Sequence, residues 1–210
     1  MIDARQLQRI MPDGSLVPDE TSFHVGRGQI AALVGPNGSG KSTLLRCLCG
    51  DVLLEAGRAR LAGYDCSEPR VLRRGRATAL VSAVPTSLQL TVAEHLQLLM
   101  ASWDEANLNL HESDAELAKE FSLTQVMDQF PHQLSSGQSQ CLQLAMTLGR
   151  RADVILLDEP ERHLDTEISA KLLVSLRRRA ESGAAILIAT HDERFAEAAD
   201  FRFSPGDRLR

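Results

Sequence analysis

The sequence predicts an α/β fold built on a largely parallel sheet, and three observations lead there. Short, nearly all-apolar runs at Ile30–Val34, Val154–Leu157 and Ala184–Ala189 have strand length and no polar face, as strands covered on both sides do. Helical patterns alternate with these runs, and that alternation implies parallel strands joined by crossovers. A glycine-rich stretch from Gly35 to Gly40 links the first run to the first helix.

The elements follow in order. Leu7 to Val25 reads as short strands: Met11-Pro12-Asp13-Gly14-Ser15 supplies turn chemistry, and Phe23 and Val25 alternate with polar neighbours. A helix opens near Gly40, carries Leu44, Leu45 and Leu48 on one side and ends at Gly50. Arg58–Leu61 and Ala77–Val81 are further strand candidates. From Thr91 to about Gly149 the pattern turns helical. Thr91 and Glu94 suit a capping box ahead of Leu96, Leu99, Met100 and Trp103, and Ser113 with Glu116 repeats the device before Leu117 and Phe121. After the Val154–Leu157 strand, an amphipathic helix from Asp165 to about Glu181 turns Ile168, Leu172, Leu173 and Leu176 inward and stops at Gly183. Ala184–Ala189 is expected as the last buried strand. In such sheets ligands bind beyond the carboxyl ends of the strands.

Composition narrows the function. With 210 residues, 43% apolar and 24% charged, the chain is expected to form one substantial domain. A net charge of −5 and 4% aromatics argue against a nucleic-acid partner. No run approaches a membrane span, and no secretory signal is read at the N-terminus, so a membrane role is expected to come through partners. Cys47, Cys49, Cys66 and Cys141 lack metal-ligand spacing and read as reduced, packed thiols, which fits a cytosolic setting.

Two motifs carry chemistry. Gly35-Pro36-Asn37-Gly38-Ser39-Gly40-Lys41-Ser42-Thr43 matches GxxxxGK[ST] between an expected strand and an expected helix. Glycines let the backbone close on phosphate oxygens, and the helix adds its positive end. Lys41 would neutralise the terminal phosphates and Ser42 would ligate Mg²⁺. The bland alternative is a glycine-rich turn with an exposed lysine. Val154 to Leu157 then runs into Asp158-Glu159-Pro160, a buried strand ending in two carboxylates. Asp158 is expected to hold Mg²⁺, leaving Glu159 to polarise the attacking water; alone, such a pair is often a solvated strand end.

Beside these motifs, Leu134-Ser135-Ser136-Gly137-Gln138 resembles the LSGGQ signature of ABC ATPases, with Ser136 for the first glycine. Thr190-His191-Asp192 looks like that family's switch histidine and Leu164-Asp165 like its D-loop. The resemblance spans about Gly26 to Asp200. It implies a P-loop NTPase of the ABC ATPase fold: a RecA-like core with an antiparallel β edge (about 1–83 and 150–210) and an inserted helical subdomain (84–149). It implies ATP held between the phosphate loop of one copy and Ser135, Ser136, Gly137 and Gln138 of another, with Glu159 and His191 catalytic and Mg²⁺ on Ser42 and Asp158. A homodimer, or a heterodimer, would then drive transmembrane permease subunits from the cytoplasmic face of the membrane. Bottom-up, Ser135 to Gln138 would open a helix through Leu142, Leu144, Ala145 and Leu148, whose free N–H groups suit a phosphate.

The chain departs from the family at three places. Ala83 stands where a metal-contacting glutamine is expected, with Gln89 nearby. Only Ile10 and Met11 stand where an adenine-stacking aromatic is expected, Phe23 reading as core. Cys141 replaces an arginine after the signature. Besides a transport motor, the motifs suit a soluble ABC ATPase without a transport role, or a subunit that binds nucleotide without useful turnover.

Overall fold

The computed structural model describes residues 1–10, 14, 16–67, 76–105, 110–111 and 113–209. Of the turn expected at Met11 to Ser15, all but Gly14 lies outside them. In chain order the elements are β1 (Ile2–Gln8), β2 (Thr21–Val25), β3 (Ile30–Leu33), α1 (Lys41–Cys49), β4 (Ala56–Leu61), β5 (Tyr64–Asp65) and β6 (Ala77–Leu80). Then come α2 (Val92–Glu105), α3 (Asp114–Glu120), α4 (Ser136–Leu148), β7 (Val154–Asp158), α5 (Thr166–Glu181), β8 (Ala185–Ala189), α6 (Glu193–Glu197) and β9 (Phe201–Phe203). Two single 3-10 turns, Thr124–Val126 and Pro131–Gln133, lead into α4.

The described chain divides into two compact units. The first comprises Met1–Val81, Ala152–Glu159 and Leu176–Arg210. It holds a five-stranded parallel sheet, ordered β6-β7-β8-β3-β9, and a four-stranded antiparallel sheet, ordered β2-β1-β4-β5. β3, β7 and β8 are apolar almost throughout because both faces are covered. In β2 the alternation of Thr21, Phe23 and Val25 inward reflects a sheet with one buried face. Leu44, Leu45 and Leu48 of α1 are fully buried in one core with Ile2, Leu7, Phe23, Leu33 and Leu61, each worth roughly 1.5–3 kcal/mol of burial. The rings of Phe23 and Phe203 lie 4.5 Å apart and join the two sheets across this core.

One expectation needs correction: β1 starts at Ile2, five residues before the strand onset read at Leu7. Ala185–Ala189 is the last strand buried throughout. Beyond it a short, partly buried strand not read from the sequence, β9, adds beside β3, on the side away from β8. Its only sequence signal is Phe201-Arg202-Phe203, too short a period to be read without its neighbour.

The second unit comprises Ser82–Arg151 and Pro160–Ser175. The sequence places the helical part at about 84–149; this unit runs over Ser82–Arg151 and also takes in Pro160–Ser175. Within this unit Gln140 Nε2 donates to the Pro160 carbonyl at 3.0 Å, and Ser175 Oγ donates to Glu120 at 2.6 Å. Thr91 and Glu94 form the expected capping box, and Ser113 Oγ accepts from the Glu116 N–H at the start of α3. On α5, Leu172 and Leu176 are buried while Ile168 and Leu173 are half-buried, and Ser169 and Ser175 take buried positions on the same helix. Among the described residues no helix is long and apolar enough to cross a membrane.

Candidate functional site

The carboxyl ends of β3, β7 and β8, three neighbouring strands, carry the chemistry-bearing residues of the first unit. After β3 the chain turns through Gly35, Gly38 and Gly40, all with left-handed φ (144°, 80° and 95°). Gly40 caps α1 without any side-chain hydrogen bond, so the helix opens onto the loop with its first N–H groups unspent. A Cβ on Gly40 would lie 1.9 Å from Val17 Cγ1, so only glycine fits that position.

Lys41 is 5% exposed and folds back into the loop, its Nζ donating to the carbonyls of Gly35 at 2.7 Å and Pro36 at 3.1 Å. Those acceptors hold a buried ammonium inside the loop. Ser39 Oγ is buried and has no hydrogen-bond partner, a second polar group turned into the loop with nothing to bind. Pro36, Asn37 and Thr43 complete the stretch, Pro36 also accepting the Ser39 N–H at 3.2 Å.

Asp158 ends β7 and accepts a hydrogen bond from the Ser42 hydroxyl. Burial pushes its carboxyl above the usual range; the Glu159 charge adds to the rise, and the Ser42 bond and the Lys41 charge pull against it. Its Oδ1 is buried without a partner. An orphaned carboxylate oxygen beside a serine hydroxyl is a hard oxygen donor pair, so these two residues fit a Mg²⁺ ion.

Glu159 has φ of 46°, a left-handed conformation that costs a residue with a side chain about 1–3 kcal/mol. Its N–H donates to the Ala189 carbonyl at 2.8 Å, which ties the turn to the end of β8. This brings Glu159 Oε1 within 3.4 Å of His191 Nδ1. His191 is well exposed, its side chain at 60%, whereas that of Glu159 is at 27%. Thr190 is buried and its N–H donates to Leu33, while Asp192 caps α6. The histidine therefore sits between two anchored neighbours. Lys41, Ser42, Asp158, Glu159 and His191, far apart in sequence, thus converge in one unit.

Ser135, Ser136, Gly137 and Gln138 belong to the second unit. Ser135 Oγ accepts from the Gln138 N–H at 3.2 Å, and the Ser135 N–H donates to Gln138 Oε1 at 2.9 Å, a reciprocal capping box at the start of α4. A Cβ on Gly137 would stand 2.8 Å from the His163 carbonyl oxygen. Ser136 is exposed, so there is room for a side chain where the family pattern has its first glycine, and none at the second. Cys141 is buried, and desolvation pushes its thiol up to about 11, which makes it an inert packing residue. The same cause raises Cys47 to about 11 and Cys49 and Cys66 to about 12, and all four are free thiols.

Ala83 is exposed and offers no polar side-chain atom; Gln89 is exposed with its N–H on Ser87 Oγ. One contact was missed from sequence: Val17 lies against Gly40, on a segment that also carries the half-exposed Ile10 and Leu16, paired as a bridge. No motif marks it, because a single apolar side chain has no signature. Leu164 and Asp165 precede α5, where Asp165 Oδ1 accepts the Ile168 N–H at 2.8 Å.

Comparisons with known proteins bear on this geometry. The model of a family described as ABC transporter matches residues 18–162. The spermidine/putrescine import ATP-binding protein PotA of Chromobacterium violaceum is 33% identical over 189 residues, covering 89% of this chain and 52% of its own length. This chain thus spans about half of that relative. The probable amino-acid import ATP-binding protein YxeO of Bacillus subtilis is 33% identical over 217 residues, covering 95% of this chain and 83% of its own. Among solved structures, an ATP-binding subunit of an ABC transporter superposes with a TM-score of 0.83 at 26% identity, over 98% of this chain and 86% of that one.

Proposed function

This chain belongs to the ABC transporter family, and from that premise we propose that it binds and hydrolyses ATP to power solute movement through separate membrane-spanning partners. The observation that carries the reading is the convergence of Lys41, the Ser42–Asp158 pair and the Glu159–His191 pair at the ends of adjacent strands.

In this reading the glycine loop and the opening N–H groups of α1 hold the phosphates of ATP, and Lys41 exchanges its two backbone carbonyls for phosphate oxygens. Ser42 and Asp158 would hold Mg²⁺, which neutralises charge between the phosphates. Glu159 accepts the proton of the attacking water, and His191, within 3.4 Å, hydrogen-bonds the γ-phosphate and orients the carboxylate. Val17, Ile10 and Leu16 offer adenine an apolar surface in place of a stacked ring. The helix tip from Ser135 to Gln138 closes on the nucleotide of a second copy, so two chains pair with two sites between them. Binding would draw the pair together and hydrolysis would release it, the motion passing to permease subunits at the cytoplasmic face of the membrane. The import proteins among its relatives support the transport role, and the acidic charge of −5 argues against nucleic acid as partner.

Replacing Glu159 with Gln tests the assignment. Mg²⁺-ATP should bind as before while turnover falls at least about 100-fold. Turnover within a few-fold of the unsubstituted chain would defeat the role. Co-purification with a membrane-spanning protein separates the transport motor from an ABC ATPase working elsewhere.

A further inference from the structure

Building on the ATPase reading, we propose that Gln140 and Gln143 are positioning residues for hydrolysis: from one face of α4 they grip the two backbone segments where the chain passes into the helical unit, one of them directly after Glu159.

The first unit ends at Val81 and again at Glu159, so the chain crosses into the second at Ser82 and once more at Pro160. Gln143 holds the first crossing with both arms of its amide. Its Oε1 accepts the Val84 N–H at 2.5 Å and its Nε2 donates to the Val84 carbonyl at 3.1 Å. Gln140 holds the second crossing, its Nε2 donating to the Pro160 carbonyl at 3.0 Å. Residues three apart share a helix face, so one rigid element reaches both segments. Both side chains are half-buried, and neither belongs to the capping box, which Ser135 and Gln138 complete between themselves. A glutamine on a helix surface is ordinarily solvated; these two are committed to backbone outside their own helix.

The Pro160 grip matters because Glu159 is strained. At φ of 46° its backbone is held upstream by its N–H on Ala189. Downstream, proline has no N–H to offer, and its carbonyl is held by the Gln140 amide. A strained residue keeps its conformation only while its surroundings over-determine it. Loss of the Gln140 bond would let Glu159 relax, and the carboxylate would lose its aim at the water. The Val84 grip acts on the residue next to Ala83, whose own side chain has no polar atom to help orient the site.

Steady-state hydrolysis by the full chain tests this. Gln140→Met keeps length and loses the donor; turnover should fall about tenfold, roughly 1.4 kcal/mol, with KM for ATP within about twofold because the phosphate loop is untouched. Gln140→Lys restores a donor and should recover part of the loss. Gln143→Glu gives a graded readout: an ionised carboxylate repels the Val84 carbonyl, whereas a protonated one accepts and donates as the amide does. Its turnover relative to the unsubstituted chain should therefore rise as pH falls from about 7.5 to about 5.5. Amide exchange at Val84 should quicken about tenfold in Gln143→Met, with or without nucleotide. Turnover of folded Gln140→Met within about twofold of the unsubstituted chain, or a Lys variant no better than the Met one, overturns the proposal. Unchanged Val84 exchange in Gln143→Met overturns the grip itself. No turnover in the unsubstituted chain overturns the ATPase reading instead, so the two failures are told apart.

Discussion

Two helix tips in this protein are built in opposite ways. α1 opens from Gly40, left-handed and without a side-chain cap, and its first lysine bends back onto the loop carbonyls. α4 opens from Ser135, whose hydroxyl and N–H are both matched by Gln138. An uncapped tip leaves its donors and positive end for an incoming anion, and the surrounding glycines let that anion approach. A capped tip has spent part of that capacity on its own order, so it presents a fixed shape with fewer open donors. The first tip suits gripping a phosphate chain; the second suits a rigid surface that closes on one already bound.

The contrast can be broken at the uncapped tip. Lys41→Ala removes the one buried ammonium of the loop motif and should weaken ATP binding about 100-fold, on the order of 3 kcal/mol, in a titration with fluorescent nucleotide. Retained affinity would show that the loop does not rely on it. At the capped tip, Gly137→Ala forces a Cβ to 2.8 Å from the His163 carbonyl and should cost about 1–3 kcal/mol of stability in urea unfolding. The neighbouring Ser136→Gly, at an exposed position, should change stability by less than about 1 kcal/mol. Equal effects at the two positions would mean that the close approach does not constrain this tip.

Asp158 offers the smallest and subtlest test. Burial raises its native carboxyl value above its ordinary one. As pH rises through that window the unfolded chain gives up its proton first, so the native state loses stability across it and does not regain it above. Asp158→Asn should remove this fall and so raise nucleotide-free stability at neutral pH, while weakening Mg²⁺-dependent turnover. An unfolding profile against pH that matches the parent chain would contradict the burial cost.

Much of the fold and of the candidate site was legible because the signals are local. The phosphate loop is a contiguous motif, the buried strands are continuous apolar runs, and the Ser135–Gln138 box is a short-range pattern. β9 escaped because three residues carry no period, and its place beside β3 is a long-range pairing. Val17 against Gly40 escaped for a similar reason, an apolar residue having no motif until its neighbour is known. The Pro160–Ser175 segment reads as the start of a core helix in sequence; its place in the helical unit shows only through long-range contacts, among them the bonds to Gln140 and Glu120 and the approach of Gly137 to the His163 carbonyl.

By itself the sequence determined which groups are available: a glycine loop ending in Lys41 and Ser42, two carboxylates after a buried strand, a serine-led helix, and a histidine after the last long strand. Tertiary structure alone decided that Glu159 takes a left-handed turn beside His191, that Asp158 keeps one buried oxygen unmatched, and that two glutamines spend their amides on distant backbone. The physical reason is range. Propensity and patterning act over a few residues, whereas strain, desolvation and side-chain grips exist only once distant strands and helices have packed.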